Sequence, residues 1–303
     1  MYDLDDPRSV LIPLNAAPPT QSKSGIAEPE SVEFHNEEPA DVSAAGSSTW
    51  YFRGQNFLLA YTNLRAGDSL AREEQPYEYV VLLTEKATNV TITAGKEATE
   101  VREPALVVVP PGTSTVTAGR DTTVIRLFDL RTVDLMNRAS NADSYAEAHP
   151  NVSPLSPWPA PTDGSRLRTY FVDRVPAERG RFGRIYRTSS FMVNFLDVQE
   201  GPRDPEKLSP HHHDDFEQCS LSVDGTWVHH IRTPWTSKRS QWRDDQHRLV
   251  GSPSVTIIPP PTVHTSEAVG SGTNQLIDIF CPPREDFSAK EGWVLNAEDY
   301  PQP

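Results

Sequence analysis

Two stretches of this chain spell the same series of strand-like runs in the same order, which constrains it to fold as two copies of one unit. Phe57-Leu-Leu-Ala-Tyr61 before Gly67 parallels Phe191-Met-Val-Asn-Phe195 before Gly201. Tyr77-Glu78-Tyr-Val-Val-Leu-Leu83 parallels Phe216-Glu217-Gln-Cys-Ser-Leu-Ser222. Val107-Val-Val-Pro-Pro-Gly112 parallels Thr256-Ile-Ile-Pro-Pro-Pro261, and Ile125-Arg-Leu-Phe128 parallels Ile277-Asp-Ile-Phe280. The runs are short, rich in β-branched residues and separated by Gly, Pro, Asn and Asp, which is the pattern of an all-β protein.

The length of 303 residues exceeds what one hydrophobic core usually serves, so two domains are the natural division. Residues 1–47 are rich in Pro, Ser, Ala and acid without a hydrophobic period and read as an arm, one that can still lay a strand on the other domain. A first barrel follows over 48–135, a Pro-rich connector over 136–165, a second barrel over 166–285 and a tail over 286–303. The formal charge of −14 argues against nucleic acid or an anionic membrane as partner. No run approaches the ~20 apolar residues of a membrane span, and the acidic start Met1-Tyr-Asp-Leu-Asp-Asp lacks the basic region of a signal peptide, so a cytoplasmic protein is expected. Two cysteines, Cys219 and Cys281, make no disulfide framework.

Residues 211–217 read His-His-His-Asp-Asp-Phe-Glu, and Pro259 to His264 bring one more imidazole at a strand end. Imidazoles at i and i+2 project from one face of an extended strand and can reach one ion, while a nearby carboxylate and a distant fourth residue close the shell. The expected ligands are His211, His213, Glu217 and His264. With 9 histidines in 303 residues, the His-x-His-x3-Glu spacing arises by chance on the order of 0.02 times in such a chain.

These residues resemble the two motifs of the cupin superfamily, Gly-x5-His-x-His-x3 or x4-Glu-x6-Gly and Gly-x5-Pro-x-Gly-x2-His-x3-Asn. Gly225 closes the first motif one residue late, and in the second Pro261 stands where glycine is usual and Ala268 where asparagine is usual. With its two copies the chain resembles a bicupin, which implies two tandem jelly-roll barrels. In the first copy the ligand positions fall on Arg72, Glu74, Glu78 and Thr115, none of them an imidazole, so only the second barrel is expected to hold metal. The first is expected to serve packing or contact within a homodimer.

If Glu217 points at the metal, Cys219, Leu221 and Val223 share its direction while Gln218, Ser220 and Ser222 face outward. Carried across from Val90 and Ile92 of the first copy, the same parity turns His229 into the pocket as a candidate general base, with His230 as the alternative if the hairpins differ by one residue. Cys219 is expected as an apolar filler. Trp227, Trp235 and Trp242, with Arg232 and His247, suit either packing or a substrate rim. Three imidazoles and a carboxylate suit Fe(II), Mn(II), Ni(II) or Zn(II) with open positions left over. The resemblance implies a metal-dependent enzyme acting on a small substrate. Fe(II) dioxygenation is the leading expectation, followed by a redox-neutral isomerase, lyase or hydrolase and then by a non-enzymatic ligand-binding bicupin.

Overall fold

The computed structural model describes residues 7, 8 and 25–303; the remainder of the expected arm, 1–6 and 9–24, lies outside the described residues. Among the described residues nearly all regular structure is β, with two four-residue α-helices, Val133–Met136 and Glu285–Ser288. No helix among the described residues is long and apolar enough to cross a membrane.

Each copy folds into two facing sheets. In the first, a large sheet runs in the order Arg168–Phe171, Ala105–Val109, Tyr79–Leu83, Thr122–Asp129, Phe57–Leu64, Ser48–Arg53 and Asp41–Val42. It faces a four-stranded sheet of Ser69–Gln75, Gly112–Ala118, Val90–Ala94 and Glu97–Val101. In the second, the order is Glu30–Glu33, Ser254–Ile258, Gln218–Asp224, Thr273–Phe280, Met192–Phe195 and Arg184–Arg187, with Gln199–Glu200 also on Thr273–Phe280. It faces a three-stranded sheet of Gln246–Val250, Trp227–Arg232 and Val263–Ala268. All strand pairs are antiparallel, as short hairpin connections require.

The edges are exchanged. Glu30–Glu33 pairs with Ser254–Ile258 in the second barrel, while Arg168–Phe171, grouped by sequence with the second barrel, pairs with Ala105–Val109 in the first. Each barrel thus has a sheet edge covered by a segment that precedes the other, which removes two open edges and ties the barrels together.

The large sheets pack back to back. Leu82, Leu106, Ile125 and Leu127 of the first barrel share one buried cluster with Cys219, Leu221, Ile257 and Ile279 of the second. Alternation along each strand then sends the other residues into the barrel interiors. The first interior is apolar, with Val81, Val107, Val116 and Phe128. The second is polar where it matters: Gln218, Ser220, Thr256 and Asp278 are all buried.

This arrangement corrects the expected direction of Cys219 and Leu221, which face the first barrel, while Gln218 and Ser220 turn into the second. The expectation rested on one buried face per strand. Here both faces are buried, so the apolar face is the inter-barrel one.

Candidate metal centre

His211 and His213 lie on the segment entering Gln218–Asp224, and His264 lies on the facing strand Val263–Ala268. An isolated bridge fixes the approach of the two segments: His211 N donates to His264 O at 3.0 Å and His264 N to His211 O at 2.7 Å. One ligand-competent atom from each of His211, His213 and His264 falls within 4.8 Å of the others, and all three rings are buried. The Phe216 ring stacks on His213 at 4.6 Å and Phe280 meets it edge-on at 5.7 Å, which limits ring rotation.

Burial holds all three imidazoles neutral. It pushes His211 and His213 well below the ordinary histidine value, with the neighbouring rings and cations adding to the shift, and brings His264 down to about 4. Neutral imidazole is the metal-binding form. Carbonyl oxygens orient two of the rings: Nδ1 of His211 donates to Ser209 O at 2.9 Å and Nδ1 of His264 to Thr262 O at 3.1 Å, so both present Nε2 as a lone pair.

The residue that stands beside these rings is Gln218, not Glu217. Gln218 Oε1 lies 2.9 Å from His213 Nε2 and 3.1 Å from His264 Nε2. Its amide is oriented from behind, where Nε2 donates to Ser220 Oγ at 3.0 Å and to Asp278 Oδ1 at 3.1 Å. Burial raises Asp278 to about 6, against the opposing pull of Arg8, Ser220 and Arg284. The His264 lone pair and Gln218 Oε1 are therefore two acceptors face to face, a contact that a cation between them relieves. Three neutral imidazoles and an amide oxygen, backed by a carboxylate, fit a divalent transition metal.

Glu217, expected as a ligand, is 3% exposed but lies outside this group. Its carboxylate turns to the first barrel and connector, accepting from Gln55 N at 2.6 Å and Tyr145 Oη at 3.1 Å, with His149 Nδ1 at 3.6 Å. A Cβ on Gly54 would meet Glu217 Oε2 at 2.6 Å, so glycine is what lets the loop close on the carboxylate. Glu78 does the same in reverse, accepting from Ser189 N and Oγ of the second barrel at 2.9 and 2.6 Å and from Tyr300 Oη at 3.1 Å. Gln55 and Ser189 occupy matching places before Phe57 and Phe191, so the two glutamates are a reciprocal pair of staples between barrels.

His229 is fully buried, pushed to about 3 by desolvation and then by His264, and it faces into the barrel. Its Nδ1 lies 2.9 Å from Ser266 Oγ, and Nε2 is buried without a partner among the described residues. His230 turns outward, with Nδ1 2.6 Å from His247 Nδ1 and Nε2 2.9 Å from Glu267. A cavity of about 410 Å³ opens onto His211, Gln218 and Asp278 past Arg8, Arg203 and Trp227. Arg8 Nη2 and Arg203 Nη2 both donate to Ser209 Oγ, at 2.8 and 3.0 Å.

Trp227 is a wall of that cavity, whereas Trp235 and Trp242 stack on each other at 4.5 Å on an exposed loop elsewhere. Arg232 pairs with Asp245. Cys219 is an apolar filler between the barrels, its thiol pushed well up by burial. Gln218 and Asp278 had signals in the sequence: the x4 spacing of the first motif ends on 218, and Asp278 is a charge within the apolar run Ile277 to Phe280.

No protein-family model and no curated protein matches the chain. Among solved structures it is similar to AerE from Microcystis aeruginosa, at 9% identity and a TM-score of 0.52 over 86% of this chain and 99% of that one. It is also similar to the Lactobacillus farciminis oxalate decarboxylase in its formate complex, at 11% identity and 0.55 over 88% of each chain. The Bacillus subtilis oxalate decarboxylase, which has Mn(II) centres, matches at 13% identity and 0.55 over 94% of this chain and 85% of that one. At these identities the likeness is one of fold, and with the paired antiparallel barrels it establishes that the chain has the bicupin fold.

Proposed function

We propose that the chain is a metal-dependent enzyme that holds one divalent transition-metal ion on His211, His213, His264 and Gln218 and acts on a small anionic substrate, with Fe(II)-dependent dioxygenation as its chemistry. The observation that carries this reading is the convergence of three neutral imidazoles and one amide oxygen, two of which, His211 and Gln218, line an open cavity. A bound ion would supply Lewis acidity and open coordination positions there. With four neutral donors it keeps its full charge, which favours an oxygen-bearing anion as ligand. Arg8 and Arg203 stand on the entry path and complement the same charge. His229 and Asp278 are the buried groups able to carry a proton beside the site.

A second reading, redox-neutral cleavage or isomerisation at Mn(II), is favoured by the fold shared with the Bacillus subtilis oxalate decarboxylase and by those two proton carriers. Both readings are tested by reconstituting tag-free protein separately with Fe(II) and Mn(II) and following oxygen consumption across a panel of small carboxylates and enols. The first expects oxygen uptake that needs Fe(II) and disappears in His264→Ala. Turnover with Mn(II) and no net oxygen uptake would replace it with the second.

A further inference from the structure

The interior of the first barrel contains one charge without a hydrogen bond or ion pair among the described residues. Arg126 sits on Thr122–Asp129 between Val124 and Phe128, both part of that interior, and is 5% exposed. Among the described residues its guanidinium donates no hydrogen bond and forms no ion pair; Nε is fully buried, and the one ring beneath it is Phe128 at 5.5 Å. Its neighbours are differently placed. Arg72 forms a two-pronged pair with Asp134 at 2.7 and 3.1 Å, and Arg138 pairs with Asp41, which also accepts from Tyr51 Oη at 2.9 Å. Beside Arg126 lies a cavity of about 280 Å³ whose walls include Arg72, Arg138, Tyr51 and Asp41.

Burying a guanidinium without a counter-charge costs several kcal/mol, and a buried unsatisfied donor calls for a specific explanation. A purely structural arginine in an apolar barrel would be expected to find a carboxylate or carbonyls, as Arg181 does with Gly183 O, Pro176 O and Glu178. The second barrel shows what the matching position does there. Asp278, in the run that parallels Arg126, is buried at the barrel floor and fully engaged in supporting its site.

We propose that the first barrel is itself a ligand-binding domain, in which Arg126 receives a small monocarboxylate at the floor of this cavity. The guanidinium fork matches a carboxylate in two parallel hydrogen bonds. One negative charge is the number required, since Arg72 and Arg138 already have partners and Asp41 and Asp68 on the wall would repel a dianion. Desolvation already lowers the Arg126 pKa, a shift that an anion in the cavity would reverse.

The test is saturation-transfer NMR of the full chain titrated with sodium acetate. Transfer is expected in the unaltered chain and in His264→Ala, which removes the second-barrel site as an acetate binder, with at least tenfold weaker binding when Arg126→Gln is added to His264→Ala. Unchanged transfer in the double variant His264→Ala, Arg126→Gln, or transfer lost in His264→Ala alone, would overturn the proposal. So would inorganic phosphate displacing acetate at lower concentration than acetate itself binds. Should Arg126→Gln fail to fold, crystals of the unaltered chain soaked in sodium acetate decide the matter: a carboxylate seated on Arg126 supports the site, and water alone in that cavity refutes it.

Discussion

Glu217 and Gln218 are consecutive, and a strand's two-residue period sends their side chains to opposite faces, so one step decides which can reach the histidines. Gln218→Ala is expected to weaken metal binding at least tenfold, whereas Glu217→Gln should leave metal content unchanged and lower stability instead. Elemental analysis and thermal melting of the two variants separate these effects. The three histidines were legible because His-x-His and a distant imidazole leave few alternatives. The direction of Glu217 was not legible, because a carboxylate is the better ligand on chemical grounds and because Cys219 and Leu221 make the opposite face look like the core. The inward direction of His229 was legible because its hairpin aligns with Val90 and Ile92 of the first copy, whose strand Val90–Ala94 carries the same inward parity. Loss of His229 should cut turnover roughly 100-fold if it moves a proton. His229→Gln and His230→Gln, each assayed with metal content checked, should give a large and a negligible effect respectively.

At the level of strands and loops, the repeat in the sequence carries over into a reciprocal structure: exchanged edge strands, and Glu78 and Glu217 each bound by a loop of the opposite barrel. Glu78→Ala would leave the Ser189 and Tyr300 donors unsatisfied in a buried seam, which costs about 1–3 kcal/mol. Urea denaturation should show that loss without any change in metal content, since the residue lies in the opposite barrel from the site. The apolar strands of the large sheets were readable from composition alone. Ser69–Gln75 and Glu97–Val101 were not, because they lie in the smaller sheet of the first barrel with mostly exposed, polar residues. The placement of Arg168–Phe171 on the first barrel was equally hidden: local pattern says that a strand forms but not which edge it joins.

Across the whole molecule, four buried neutral histidines set the response to acid. His264 and His229 are held at about 4 and about 3, and His211 and His213 also lie below their ordinary value, so the folded chain binds fewer protons than the unfolded chain below about pH 6.5. Their contribution to stability is full above that pH and is lost as pH falls toward 4. Asp278, raised to about 6, acts with the opposite sign over an overlapping window, but one group against four does not reverse the trend. The metal-free chain should thus be less stable to urea at pH 5 than at pH 7, each group contributing up to about 1.4 kcal/mol per pH unit; equal midpoints would count against neutral, buried rings. The all-β, two-barrel architecture was legible from the internal repeat. That one barrel interior is polar and the other apolar was not, because both faces of each large sheet are buried and only the structure tells the inter-barrel face from the interior. The central claim, one ion held by the second barrel alone, is tested most directly by counting metal per chain in tag-free protein by mass spectrometry of the elements. One equivalent of transition metal is predicted, falling below a tenth in His264→Ala and unchanged in Glu217→Gln; a full equivalent retained by His264→Ala, or two in the unaltered chain, would contradict it.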